Sequence, residues 1–224
     1  MPEATLERAV ARRGGEALWA DLAARVSHDL NNHLTSVLGK AEIALMSPDP
    51  ARWQRGLEEV LEAGQQARSL VADLQRLARW QLGTDGGVPS PDLLGLVVRL
   101  ARRRARRAGI VLEMAGSGFL GDSRRAARLA LLAWQLVERA IEAAEPREEG
   151  ERSWKIEATA DPAAGCTIAL RHPGTPAVLP GLAAAAAATR GEGESPGGWE
   201  AIVETCRALG AGLFPGDGSV ELRA

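Results

Sequence analysis

The residues best suited to chemistry lie in one run, Ser27-His28-Asp29-Leu30-Asn31-Asn32-His33-Leu34-Thr35-Ser36-Val37-Leu38-Gly39. The run falls inside a segment with apolar residues at Leu18, Leu22, Val26, Leu30, Leu34, Val37, Ala41 and Leu45, the three-or-four spacing of a helix face. At about 100° per residue, His28 stands roughly 180° from the centre of that stripe, which points it to solvent in mid-helix. Arg25, Asn32 and Thr35 share its face at neighbour spacing. An exposed imidazole on a rigid helix is a competent nucleophile toward a partner, with Asp29 beside it to take or orient its second proton. Asn32, one turn on, is placed to hydrogen-bond a phosphoryl oxygen or a water. A surface histidine among polar neighbours fits the same facts. A metal site does not, because His28 and His33 are about 140° apart around the helix and cannot easily chelate one ion.

The elements that must position this run are helical. After a break expected at Gly14-Gly15, a helix is predicted over Glu16–Met46, stopped by Ser47-Pro48-Asp49-Pro50. A second helix, Ala51–Leu82, places Trp53, Leu57, Val60, Gly64, Ala67, Val71, Leu74 and Ala78 in a heptad seam, flanked by Leu61, Leu70 and Leu77. Trp53 and Trp80 are expected in the core. Two long helices with a short turn make an antiparallel hairpin whose apolar faces are too broad to cover alone. Pairing two hairpins into a four-helix bundle buries them, so a homodimer is expected.

Gly83 to Pro89 reads as a linker, and beyond it the pattern turns to mixed α and β. Ser90-Pro91 opens a helix to about Arg107. Ile110–Met114 reads as a strand and Asp122–Ala144 as a long amphipathic helix. Trp154–Ala160 and Cys166–Arg171 alternate around a Pro/Gly turn as a hairpin does. Residues 173–198, rich in Gly, Ala and Pro, are expected to form a mobile loop. Trp199–Leu209 reads as a helix, and Leu213–Leu222 as a terminal strand or hairpin. The expected fold class is α+β: a helical hairpin domain at 1–82, a linker at 83–89 and an α/β sandwich at 90–224. The arginines at 102, 103, 104, 106 and 107 are expected on the solvated C-terminal end of their helix, where cations suit the dipole.

Composition narrows the function classes. The chain of 224 residues has a net charge of −2, with 46% apolar and 25% charged residues, as in an ordinary folded protein. The charge balance argues against coating nucleic acid, and 4% aromatic content with no Tyr argues against base-stacking platforms. Cys166 and Cys206 form no CxxC, so no zinc cluster or dithiol motif is supported, and free thiols fit a reducing cytoplasm. No run reaches the ~18 apolar residues of a membrane span, and no secretory h-region is legible. The expected setting is cytoplasmic.

His-Asp-Leu-Asn-Asn-His-Leu-Thr-Ser-Val-Leu-Gly resembles the H-box of two-component sensor histidine kinases, usually His-Glu/Asp-x-x-Asn/Thr-Pro-Leu. The resemblance implies that His28 is the phospho-accepting histidine, Asp29 its acidic base and Asn32 the polar residue of transfer and phosphatase chemistry. His33 stands at the usual proline, so the helix bend found there is expected to be missing. The remainder follows the family order, a hairpin and then an ATPase-like domain. Leu132–Ala144 resembles the N-box helix, with Gln135 at the first Asn and Arg139 at the second, the Mg²⁺ ligand. An arginine cannot coordinate Mg²⁺, although its guanidinium can pair with a phosphate. The Asp-x-Gly-x-Gly box aligns with His172-Pro173-Gly174-Thr175-Pro176, where His172 replaces the adenine-reading aspartate. The final glycine box aligns with Ser195 to Val203, where Trp199 is bulky for a loop that must approach phosphate.

An H-box kept intact beside decayed nucleotide boxes resembles the histidine phosphotransferases of phosphorelays. These are dimers that take phosphate from one response regulator and pass it to another. The resemblance implies phosphoryl transfer between regulator aspartates through His28, with no cofactor and no ATP use of its own. Response-regulator receiver domains and a second copy of the chain are then the partners, with no nucleic acid and no membrane, and any signal is expected to arrive through a partner. Two alternatives stay open. One is a divergent sensor kinase that autophosphorylates His28 with Mg·ATP, and the other is a non-catalytic scaffold that binds a regulator.

Overall fold

A computed structural model describes residues 2–84, 86, 88, 90–117, 122–143, 152–161, 165–171, 179, 181–216 and 219–224. In chain order these form helices α1 (Pro2–Met46), α2 (Pro50–Leu82) and α3 (Ser90–Arg107), strand β1 (Ile110–Ser117), helix α4 (Ser123–Ala143) and strands β2 (Arg152–Asp161) and β3 (Gly165–Arg171). Helices α5 (Leu182–Thr189) and α6 (Glu200–Leu209) and strands β4 (Gly212–Gly216) and β5 (Ser219–Arg223) complete the order. A helical hairpin followed by an α/β domain with a mixed sheet is the α+β class expected from the sequence. Two compact units divide the chain, Asp21–Leu77 and Met1–Ala20 with Ala78–Ala224.

The first unit is the hairpin. Asp49 starts α2 by accepting the Ala51 N–H at its Oδ1 (2.9 Å), an N-cap satisfied just ahead of Pro50. The helices cross closely near the turn: a Cβ on Gly56 would lie 2.7 Å from the Ala44 Cβ. Lys40 on α1 pairs with Glu59 on α2 at 3.2 Å. Leu22, Val26, Ala44, Ala63, Ala67 and Leu77 are buried. Leu34, Leu38, Leu57 and Leu61 are exposed, the last three by more than 60%, so the seam extends past what one chain covers. Trp53 corrects an expectation. It is 50% exposed rather than core, and its indole N–H donates to the Ser47 carbonyl at 2.7 Å.

The second unit is built on a five-stranded sheet of order β1-β2-β3-β5-β4, in which only β1 and β2 run parallel. Period-two alternation sends Trp154, Ile156, Ala158, Ile168, Leu170, Val220 and Leu222 to one buried face. Buried residues of α3 (Leu93, Leu96, Val97, Ala101) and α4 (Leu129, Leu132, Ala133, Leu136) complete this core. Lys155, Glu157, Arg171, Glu221 and Arg223 lie on the opposite face. There Lys155 and Arg171 hydrogen-bond to Glu157 and hold its carboxyl below the ordinary value, Lys155 the more strongly. Arg104, expected to be solvated, instead pairs with the buried Glu138 at 2.8 Å and with Glu142 at 3.1 Å. Trp80 is buried, as expected.

Two further expectations are corrected here. Gly14-Gly15 does not break α1, which runs on from Pro2. Gly14 is a packing position instead, since a Cβ there would lie 2.9 Å from the Glu204 Cβ and 3.1 Å from the Ala201 carbonyl on α6. The loop expected over 173–198 contains α5, with Leu182, Ala185, Ala186 and Ala188 buried. Alanine is the strongest helix former but leaves no apolar-polar period to read. The His172–Pro176 segment lies outside the described residues. No helix among the described residues is long and apolar enough to cross a membrane.

Candidate functional site

Helical phase decides where His28 points. With Leu22, Val26 and Leu30 turned inward or half-buried, His28 is exposed in an α1 that continues unbroken through His33. Asn32 lies one turn on, and its Nδ2 is 3.2 Å from His28 Nε2. In the tautomer with the proton on Nδ1, the amide donates to Nε2 and fixes the ring's rotation. Asp29 is half-buried on the next position of the same turn. All three expected site residues therefore sit on one stretch of one helix, and His28 and Asn32 touch.

Two contacts frame this face. Arg25 donates from Nε to both carboxylate oxygens of Asp21, at 3.2 and 3.3 Å. Thr35 Oγ1 donates back to the Asn31 carbonyl at 2.9 Å. Arg25 and Thr35 were legible as face neighbours. Asp21 carries its own signal, the acid-to-base spacing of four that is usual for a helix-surface pair. Among the described residues no group of His, Cys, Asp and Glu gathers to hold a metal ion.

The α/β unit holds the second region to weigh, the cleft between α4 and the segment running into α6. Gln135 is buried on α4. Arg139, a turn further, donates from Nη2 to the Gly198 carbonyl, and its guanidinium carbon stands 4.5 Å from the Trp199 ring centroid. Trp199 is buried and precedes the first turn of α6. These residues do not suit Mg²⁺ and a nucleotide. The ligand position carries a cation, and the N-cap of α6, where backbone would have to approach phosphate, is the bulky Trp199. The guanidinium left free by sequence reasoning to meet a phosphate is directed at a backbone carbonyl and an aromatic face.

Residues 18–83 match the His Kinase A (phospho-acceptor) domain. No curated protein matches the chain. Among solved structures, a bacterial phosphotransferase is similar at a TM-score of 0.52 and 12% identity, with 92% of this chain and 94% of that one covered. The histidine kinase domain of the blue-light activated kinase EL346 from Erythrobacter litoralis is similar at 0.46 and 14%, covering 86% and 92%. The histidine kinase ThkA, in complex with the response regulator protein TrrA, gives 0.46 and 16%, covering 99% and 65%. The match over residues 18–83 identifies the hairpin as similar to a phospho-acceptor domain, and the likeness to the bacterial phosphotransferase is one of fold.

Proposed function

We propose that the chain is a histidine phosphotransferase of a two-component phosphorelay. The observation that carries this reading is His28, exposed in mid-helix within a phospho-acceptor match, with the Asn32 amide on its Nε2. In the forward step the Nε2 lone pair attacks the phosphorus of a regulator's aspartyl phosphate. The new N–P bond forms as the P–O bond to the aspartate breaks, and the aspartate leaves as a carboxylate. The Nδ1 proton is shared with or lost to Asp29. Asn32 swings from the ring nitrogen to a phosphoryl oxygen. The reverse sequence loads the next regulator. Receiver domains are the partners, and the exposed apolar row of the hairpin is the surface on which a second copy completes a four-helix bundle in the cytoplasm. The Arg139–Trp199 contact supports a route that bypasses ATP.

The test is label transfer. Phosphorylated response regulators from the same cells are expected to put an acid-labile, base-stable phosphate on the wild type and none on a folded His28→Ala variant. Label on that variant overturns the assignment of His28. Label on His28 from Mg·ATP alone would instead make the chain a kinase.

A further inference from the structure

We propose that Arg139 acts as a built-in ligand between α4 and α6, holding residues 190–199 and the start of α6 against α4 as a bound molecule would. The inference is independent of phosphate flow through His28. A guanidinium offers a flat cation and directed donors, and this one uses both on the same segment: it donates to the Gly198 carbonyl and stacks on the Trp199 indole at 4.5 Å. The segment is shaped to receive it. Gly198 has φ +81°, a backbone state that other residues rarely adopt, and a Cβ there would lie 3.4 Å from Arg139 Nη2. The indole beneath is itself seated in fitted space, since a Cβ on Gly181 would lie 3.0 Å from Trp199 Nε1 and 3.3 Å from Pro196 Cγ. The far side is bolted as well. Arg207 on α6 donates from Nε and Nη2 to the Ala188 carbonyl at the end of α5, at 2.9 and 2.5 Å. Leu213 N–H on β4 donates to Thr189 Oγ1 at 3.3 Å. The α5–α6 segment is thus tied to α6, to β4 and, through Arg139, to α4. Arg139 joins α4 to the segment that leads into α6.

Hydrogen exchange on the full chain reads this directly. Removing the guanidinium in Arg139→Ala is expected to speed amide exchange over residues 190–199 and the first turn of α6 by about tenfold or more, with α2 unchanged. Millimolar methylguanidinium is expected to restore the protection, because it refills the same space with the same donors. Where Arg139→Ala does not fold, Arg139→Met keeps the packed stem and is expected to show the same local loss. Wild-type exchange in a folded Arg139→Met or Arg139→Ala chain overturns the proposal. So does failure of methylguanidinium to protect Arg139→Ala, or added protection of the wild type by Mg·ATP, which would show a cleft still open to nucleotide.

Discussion

The hairpin and the cleft use their polar residues in opposite ways. On the hairpin, His28 is exposed, Asn32 is half-buried, and the two contact each other. In the cleft, Arg139 is engaged with the protein itself. A group held ready for a partner stays near solvent, where its loss costs chemistry and not folding. A group that has become part of the packing costs folding and offers nothing to a ligand. The contrast identifies the unit in which phosphate chemistry is proposed.

The largest effect expected is on His28. His28→Ala should abolish label transfer while changing stability by about 0.5 kcal/mol or less, as for an exposed site. A measured loss of several kcal/mol in thermal or urea unfolding would break the comparison by giving His28 a structural duty. Next in size is the hairpin's exposed row. Leu38→Glu with Leu61→Glu should leave the single chain folded and raise the dissociation constant of the proposed dimer more than about 100-fold, given ~1.5–3 kcal/mol for each leucine a second copy would bury. Light scattering across a dilution series measures it, and an unchanged dimer would place the interface elsewhere. Asn32→Ala should slow transfer without removing it, because the amide positions the ring and does not itself form the N–P bond. Rapid-quench label transfer separates this from a binding defect.

The smallest effect is at alkaline pH and concerns the α/β unit. Burial pushes the Cys166 thiol up to about 11, with Arg125 opposing slightly, and the Cys206 thiol up to about 12. The unfolded chain loses these protons near pH 9, so the folded state binds more protons above that point and stability falls as pH rises. The contribution is present in full below about pH 9 and lost progressively toward 11 and 12. Urea midpoints between pH 8 and 10.5 should therefore decline, and Cys166→Ala with Cys206→Ala should flatten the slope. Neither thiol should react with iodoacetamide in the native state at pH 8.

Misreadings of the sequence have specific physical causes. Gly14-Gly15 reads as a stop because glycine costs about 1 kcal/mol in a helix. That cost is offset where only a missing Cβ lets α1 approach α6. Helix α5 was missed because a run of alanine carries helix propensity without a period. The heptad row suggests a core position for Trp53, but spacing alone does not show how far along a long row the facing helix reaches.

The sequence by itself determined the helical hairpin, the solvent-facing phase of His28 and Asn32, and the α+β order of elements. All of these follow from spacings within a few residues, where about 100° per residue or strict alternation sets the geometry. Only the tertiary structure decided that Arg104 reaches the buried Glu138 and that Arg139 joins α4 to Gly198 and Trp199. Those partners lie on separate helices or loops, and what brings them together is the packing of α3, α4 and α6 over one sheet, a condition that no local spacing encodes.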